Sequence, residues 1–270
     1  MNTTRLHTMT WEEVAALVAG GMNSALLPVG ATEQHGPQLG CGMDSEIADK
    51  LCSAVAERTG TLLLPTLPVG CSLGHSRRWP GTLALQPKTL IDVVKDIGDW
   101  VFHSGIRRLF IINTHVTNHA PLRCALEMLR AEHDELMLAL IDSAAISERV
   151  REQHFHDGDD WHANDAETSL MLALSPHLVR QDRLVDADDP DRTQACVFAH
   201  PVNRTSSNGV TGRPSLASRE KGAALFEAMV ADLSATVSRG MQEQPPLTHS
   251  YFSRIEPHQG AREDQHEYGA

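Results

Sequence analysis

Residues 24–37 read Ser-Ala-Leu-Leu-Pro-Val-Gly-Ala-Thr-Glu-Gln-His-Gly-Pro, a short apolar run followed by a polar turn. The apolar part, Ser24–Val29, lies between glycines and shows no alternation of apolar and polar residues. Strands without such alternation are covered on both faces, as in a parallel sheet flanked by helices. The stretch therefore predicts a buried strand, with Glu33 and His35 just beyond its carboxyl end.

Helical stripes and apolar runs continue to alternate along the rest of the chain. Helices are predicted over residues 10–18, 44–60, 87–104, 118–134, 165–174 and 215–240, and further strands over 61–65, 108–113 and 136–142. Residues 182–207 are predicted to be loop with at most one strand. Together these patterns predict one layered α/β domain over residues 1–241, followed by a polar tail over 242–270.

Composition excludes several classes of partner and site. The chain has 23 Lys and Arg against 35 Asp and Glu, a net charge of −12, and no basic cluster for nucleic acid or an anionic membrane. Its five cysteines form no Cys-x-x-Cys pair, so neither a disulfide framework nor a cysteine zinc site is expected. Without a signal segment or an apolar run near the ~20 residues of a membrane span, a cytoplasmic, unanchored protein is expected.

Candidate metal ligands gather where the predicted strands end. In open α/β sheets, ligands bind beyond the carboxyl ends of the strands. Glu33 and His35 are two residues apart, so in an extended segment they project to the same side, and His115 follows the strand over 108–113. Asp44 and Glu167 are the other two candidates. Histidine and carboxylate ligands without thiolate suit catalytic Zn²⁺, Mn²⁺ or Fe²⁺.

Five candidate ligands suffice for two cations, because one carboxylate can bridge them. A pair of ions ~3.5–4 Å apart holds a hydroxide and polarises a carbonyl or phosphoryl oxygen, so hydrolysis is the expected reaction class. The local alternatives are helix capping for Asp44 and Glu167, a surface turn for Glu33 and His35, and an ordinary loop histidine for His115. The metal site is favoured because all five lie at or beside strand ends.

Several motifs together resemble the creatininase family. They are Pro28-Val-Gly-Ala-Thr-Glu-Gln-His-Gly-Pro37, Asp44, Pro80-Gly-Thr82, Asn113-Thr-His115-x-x-Asn118 and His162-x(4)-Glu167-Thr-Ser-Leu. The resemblance covers about residues 10–237. It implies a three-layer α/β/α domain with a mostly parallel central sheet, a homohexamer, and two divalent cations that serve hydrolysis of C–N bonds other than peptide bonds.

The resemblance also implies ligand roles. Glu33 and His115 would hold one cation, His35 the other, and Asp44 would bridge them. In the family member that acts on creatinine, the loop after the third strand is similar to Asn-Gly-His-Tyr-Glu-Asn, and its glutamate is a metal ligand. This chain has Val116-Thr117 in place of the Tyr-Glu pair. Other branches take the glutamate of the Glu-Thr-Ser segment, which makes Glu167 the fifth ligand.

The same resemblance implies residues around the substrate. His162 matches a histidine that lies over the substrate and donates a proton to the leaving nitrogen; the alternative is a packing histidine. Trp161 stands where the creatinine enzyme has a glutamate. The predicted pocket-lining residues are Thr117, Trp161, Ser72 and His75.

The predicted function is therefore metal-dependent hydrolysis of a small cyclic amide or lactam, in which a metal-bridging hydroxide attacks the amide carbon. The altered loop and Trp161 argue against creatinine itself. Alternatives within the family are a formamide deformylase and a small-peptide peptidase. The alternative outside the enzyme class is a metal-binding or scaffold protein without catalysis.

Overall fold

The computed structural model describes residues 4–158 and 160–247. The helices are α1 Trp11–Ala19, α2 Met43–Thr59, α3 Pro87–His103, α4 His119–Glu132, α5 Glu148–Phe155, α6 Asp165–Leu174, α7 Val202–Thr205 and α8 Arg219–Gln242. The strands are β1 Ser24–Val29, β2 Leu62–Leu63, β3 Arg108–Asn113 and β4 Met137–Asp142. Within the described residues, no helix combines the length and apolar character that a membrane crossing needs.

The strands form one sheet in the order β2-β1-β3-β4, and every described pairing is parallel. Alternate side chains of β1 and β3 enter opposite cores: Leu26 and Phe110 pack in one, Leu27 and Leu109 in the other. The first core is completed by α2, α6 and α8, and the second by α3 and α4. This confirms the predicted three-layer α/β/α architecture and explains why the strands lack alternation.

The register of the sheet brings three strand ends to one edge. Val29, the last residue of β1, pairs with Asn113, and Asn113 pairs with Asp142 at the end of β4. Because parallel strands end on the same side, the segments after β1 and β3 emerge beside each other. The residues that follow them, Glu33 and His115, therefore start from neighbouring positions.

Close packing of α8 on α6 fixes the helix that carries Glu167. Gly222 of α8 lies so near the main chain of α6 that a Cβ there would stand 1.8 Å from the carbonyl oxygen of Ser169. At residue 222 only a glycine allows this approach. The contact sets the position of α6 relative to the sheet, and hence the reach of Glu167 toward the strand ends.

Local differences from the sequence predictions concern short or irregular segments. The strand predicted over 61–65 is only Leu62–Leu63, and the long helix begins at Arg219 and includes Gln242. Residues 182–207 contain the short helix α7 and no strand among the described residues, while α5 was not predicted. Most of the predicted polar tail, residues 248–270, lies outside the described residues.

Candidate metal centre

The five predicted ligands meet at the carboxyl edge of the sheet. Glu33 and His35 follow β1, His115 follows β3, and Asp44 and Glu167 lie in the first turns of α2 and α6. All five side chains are buried. Five polar or ionisable groups brought from four separate segments into one buried place require mutual compensation or a bound cation.

Asp44 stands at the middle of this group. His35 Nε2 lies 3.3 Å from Asp44 Oδ1, and His115 Nδ1 lies 3.5 Å from Asp44 Oδ2. His115 Nδ1 is also 3.2 Å from Glu33 Oε1. Two triplets share Asp44, one with Glu33 and His115 and one with His35 and Glu167. A third triplet joins Glu33 and His35 to His162, and in each triplet the ligand atoms lie within 4.8 Å of one another.

Both imidazoles in the triplets direct one ring nitrogen toward the carboxylates. His35 Nδ1 donates to the main-chain oxygen of Glu33 at 3.1 Å, which leaves Nε2 without its proton when the ring is neutral. His115 Nε2 donates to the main-chain oxygen of Cys71 at 3.3 Å, which leaves Nδ1 without its proton when that ring is neutral. A carbonyl behind a ligating histidine is the usual arrangement that orients such a ring toward a metal.

Orphaned buried atoms supply a direct test of whether a cation fits. Both carboxylate oxygens of Glu33, Nε2 of His35 and Oδ2 of Asp44 are buried and have no hydrogen-bond partner of acceptable geometry among the described residues. Unsatisfied buried polar atoms are rare in native proteins and call for an ion or another explanation. Because these orphans all belong to the two triplets, the donor set fits two divalent cations.

The electrostatics of the centre favour positive charge within it. Burial alone would lower the pKa of both rings, but Asp44 raises the pKa of His35 to about 10 and Glu33 raises the pKa of His115 to about 9. Burial would raise the pKa of Glu33, yet the ring of His115 outweighs it and holds that pKa far below its ordinary range. The carboxylates thus create a field that attracts cations.

The helix-capping alternative does not describe Asp44, but it describes part of what Glu167 does. Asp44 lies inside α2, whose N-cap is Gly42, and no side chain caps that end. Glu167 does take part in the local turn, since its Oε2 accepts from the main-chain nitrogen of Ala163 at 2.6 Å and Asn164 caps α6. Burial raises the pKa of Glu167 to about 7. Glu167 therefore combines a local bond with proximity to the centre.

Two of the predicted pocket residues, Ser72 and Thr117, lie behind His115. Ser72 Oγ is 3.3 Å from His115 Nε2, and the hydroxyl of Thr117 contacts the same nitrogen. These contacts hold the ring with Nδ1 toward Glu33. Thr117 also borders the cavity over the centre.

A cavity of about 410 Å³ lies over the ligands. His75, Trp161 and His162 line it. It is also lined by Phe155, Asp160 and His200, which the sequence analysis did not identify. These three come from irregular segments or a helix that was not predicted, so no strand end marked them.

His162 is held over the centre by the chain that follows α7. Its main-chain nitrogen donates to Thr211 at 2.9 Å, and Thr211 donates back at 2.8 Å. The His162 ring lies 4.4 Å from that of His35, measured between centroids. Burial lowers the pKa of His162 well below 6.5 and the pKa of His75 to about 4, so both rings are neutral near pH 7.

Asp189 anchors the segment that supports His162. It is buried, accepts hydrogen bonds from Ser206 Oγ at 2.8 Å and from the main-chain nitrogen of Ser207 at 2.7 Å, and pairs with Arg192. Burial acts to raise the pKa of Asp189, but the hydrogen bonds from Arg192 and the serines outweigh it and hold the pKa at about 2.

Asp189→Asn is expected to lower the free energy of unfolding by about 1–3 kcal/mol at pH 7, because the amide places an N–H against donors. The folded pKa is below the usual 3.8, so the carboxylate stabilises the fold above about pH 4, and this contribution is lost as the pH falls through 2. Urea unfolding should show the difference between wild type and variant shrinking below pH 4. A difference that does not change with pH would refute a role for the charge.

The sequence of this chain is similar to those of known proteins. The family profile described as "Creatininase: Creatinine amidohydrolase" matches residues 7–237. Creatinine amidohydrolase of Pseudomonas putida is 34% identical over 253 residues, covering 88% of this chain and 96% of that protein. Mycofactocin precursor peptide peptidase of Mycobacterium ulcerans (strain Agy99) is 31% identical over 231 residues, covering 80% of this chain and 85% of that protein.

Solved structures agree with the sequence comparisons. One is described as "Creatininase Mn" and another as a mutant creatininase of "Zn-Zn type". Each matches with a TM-score of 0.77 and 32% sequence identity, covering 88% of this chain and 98% of the other. Over the matched length, this chain has the same fold as each of these two structures.

Proposed function

The chain belongs to the creatininase family, and we propose that within this family it hydrolyses the C–N bond of a small cyclic amide with the aid of two divalent cations. One observation carries the proposal: two ligand triplets share Asp44 and contain four buried atoms that make no hydrogen bond of acceptable geometry within the described residues. The relatives named above are hydrolases, and two of the related structures are described as manganese and zinc forms.

The residues that would hold the cations follow from the two triplets. Glu33 and His115 would bind one cation, His35 and Glu167 the other, and Asp44 both. When bound, the two cations would supply Lewis acidity, which ionises water near neutral pH and polarises an amide oxygen. Zinc or manganese is expected from the donor set, and iron(II) is compatible with it.

The protein's own contribution is to orient the amide and to move a proton. Trp161 and Phe155 form an apolar wall of the cavity, with ring centroids 5.4 Å apart, which suits a flat substrate. A leaving amide nitrogen must gain a proton, and His162 is a neutral imidazole over the centre that belongs to neither triplet containing Asp44. Its ring Nδ1 lies 3.7 Å from Glu33 Oε1. A scaffold without catalysis would need no such group.

The deciding experiment combines metal content with turnover. The protein loaded with Zn²⁺ or Mn²⁺ is expected to contain two cations per chain and to open rings in a panel of cyclic amides, with formamides and short peptides in the same panel. One cation per chain and no turnover of any amide would overturn the proposal and favour a non-catalytic metal-binding protein.

Glu167→Gln separates metal binding from helix capping. The variant is expected to retain one cation per chain, because the neutral amide is a poor ligand, and to lose at least about 100-fold in activity. Asn164→Ala is the matched control, since Asn164 caps α6 but belongs to neither triplet. It should cost about 1 kcal/mol of stability and keep both cations. Two cations in Glu167→Gln would restrict Glu167 to the local turn.

A second candidate function, hydrolysis of a short peptide, has its own supporting observation. The cavity over the ligands shares Phe155, Asp160, Ala199 and His200 with an adjoining cavity of about 770 Å³. This extra space exceeds what a single small ring requires. Faster turnover of short peptides than of lactams in the same panel would decide for this alternative.

Assembly into a homo-oligomer, with a hexamer expected from the family resemblance, is also proposed. Trp11 and Trp100 are 78% and 72% exposed, and Trp100 borders an apolar groove of about 370 Å³. Large exposed apolar surfaces commonly mark contacts between proteins. Sedimentation velocity of the metal-loaded protein tests this expectation, and a monomer at micromolar concentration would contradict it.

A further inference from the structure

A second cluster of metal-ligand side chains lies between the end of α5 and the start of α6, apart from the ligands described above. It consists of His156, Asp157 and Asp165, whose ligand atoms lie within 4.8 Å of one another. His156 Nε2 is 3.0 Å from Asp157 Oδ1 and 3.0 Å from Asp165 Oδ1. Atoms bonded at about 2.0–2.2 Å to one zinc ion stand about 3.0–3.5 Å apart, so both distances are those of neighbouring ligands.

Contacts to the main chain orient His156 and Asp157 toward each other. His156 Nδ1 donates to the main-chain oxygen of Gln153 at 2.9 Å, which leaves Nε2 without its proton when the ring is neutral. Asp157 Oδ2 accepts from the main-chain nitrogen of Arg213 at 3.1 Å, which leaves Oδ1 for the cluster. Partners of this kind commonly orient the ligands of a metal site.

Asp165 supplies the observation that points to a bound cation. Its side chain is only 6% exposed, and Oδ2 accepts from Lys221 Nζ at 3.2 Å. Oδ1 is buried and, despite the nearby ring of His156, has no hydrogen-bond partner of acceptable geometry among the described residues. A protonated ring that paired with Asp165 would aim its N–H at this oxygen. A cation placed among the three ligand atoms satisfies Oδ1 and the other two atoms at once.

We propose that His156, Asp157 and Asp165 form a further metal site, separate from the centre at the strand ends, that binds a divalent transition metal such as Zn²⁺. One imidazole and two carboxylates, without thiolate, suit Zn²⁺ or Mn²⁺. His156 and Asp157 also line the cavity of about 770 Å³. Water can therefore reach the ion and complete its coordination.

A cation bound here joins the two ends of the segment that carries Trp161 and His162. His156 and Asp157 follow α5, whereas Asp165 is the first residue of α6. Trp161 and His162 lie between them in the sequence and line the cavity over the centre. The ion therefore closes a loop, as a metal clip does, and restricts the motion of both side chains. This role is structural and does not depend on the proposed function.

The new site should bind metal more weakly than the buried centre. The side chain of His156 is 41% exposed, and the ammonium of Lys221 already compensates part of the charge of Asp165. Dialysis against metal-free buffer should therefore empty this site while the centre keeps its ions. The two sites can thus be counted separately in one preparation.

Metal analysis of the full chain before and after dialysis tests the proposal in solution. Wild type equilibrated with free Zn²⁺ is expected to hold one cation per chain more than the same protein after dialysis. His156→Gln should abolish this difference, and Asp157→Asn is the second variant if the first does not fold. Because the readout is a difference, it does not depend on how many cations the centre holds.

His200→Gln is the matched control for the zinc count. His200 is an exposed histidine that lines the same cavity and belongs to no group of candidate ligands among the described residues. This variant should keep the extra cation. If His156→Gln takes up as much zinc as wild type, the extra cation is an adventitious ion only, and the proposal is overturned.

Anomalous scattering from crystals equilibrated with Zn²⁺ locates the ion directly. Data collected on either side of the zinc edge should show a peak about 2.0–2.2 Å from His156 Nε2 and from Oδ1 of both aspartates. Absence of a peak at this position would overturn the proposal, whether or not the centre is occupied. A peak here with none at the centre would support this site and refute the proposed function alone.

Lys221→Met distinguishes a metal site from its competitor, a protonated His156 that pairs with both carboxylates. Loss of the exposed ammonium beside Asp165 should make zinc bind about 2- to 5-fold more tightly. Isothermal titration of the dialysed protein with Zn²⁺ measures this change. An ion pair offers no zinc binding to strengthen, so an unchanged titration would contradict the role of Asp165 as a ligand.

Discussion

Asp44→Ala is expected to remove both cations from the protein and to bring hydrolysis below detection. Asp44 is the one residue common to the two ligand triplets, and it lies 3.3 Å from His35 Nε2 and 3.5 Å from His115 Nδ1. Replacing a residue that merely orients a ligand costs about 10- to 100-fold in metal affinity, so loss of a shared ligand should exceed this for each cation. No other described carboxylate belongs to both triplets.

Metal analysis of the purified variant after dialysis against chelator-free buffer measures the effect. Asp49→Ala is the matched control: Asp49 lies one turn further along α2, is 45% exposed, and contacts Arg5 rather than the centre. The control should keep two cations per chain and wild-type turnover. If Asp44→Ala also keeps two cations, Asp44 bridges nothing and the assignment of both sites is wrong.

Convergence of the ligands was predictable because it follows from sheet geometry. Parallel pairing places Val29 against Asn113, so the residues beyond β1 and β3 had to emerge together once the strands were identified. Asp44 and Glu167 could also be identified from the sequence, since each lies in the first turn of a helix whose apolar stripe is clear in the sequence. Their roles as ligands remain proposals, which the metal analyses decide.

The surroundings of the ligands could not be predicted in the same way. Ser72 and Thr117 lie behind His115 because two irregular segments pack there, and sequence spacing carries no record of that contact. The buried side chain of Gln34 donates a hydrogen bond to the main-chain oxygen of Gly209, which is 175 residues away in the chain. Such contacts depend on how loops close over the finished sheet, and neither hydrophobic period nor helix signals encode them.

The depth at which α6 packs against the rest of the domain was another feature that could not be predicted from the sequence. The helix was predicted over the residues it occupies, but the depth at which it lies depends on Gly222 of α8 meeting the Ser169 carbonyl. In a sequence, a glycine within a helical pattern indicates only a lower helix propensity at that position. Its meaning as a contact surface appears when the two helices are seen together.

His162→Gln is expected to lower kcat by about 10²- to 10⁴-fold while both cations remain bound, because the amide can neither accept nor deliver the proton that the leaving nitrogen needs. The size of the loss should depend on the substrate. Amides whose nitrogen leaves readily, with a low pKa for the departing amine, should suffer least, since they need the proton least. KM should change little, because the lost interaction belongs to the transition state.

His154→Gln is the control that separates proton transfer from packing. His154 is buried against Trp161, with ring centroids 5.3 Å apart, and burial lowers its pKa to about 4. Its loss should reduce stability and slow all amides by a similar factor. If His162→Gln behaves in that way too, His162 is a packing residue, and if it loses a cation, His162 is a metal ligand. Only a deficit that grows with the basicity of the leaving nitrogen, at full metal content, fits a proton carrier.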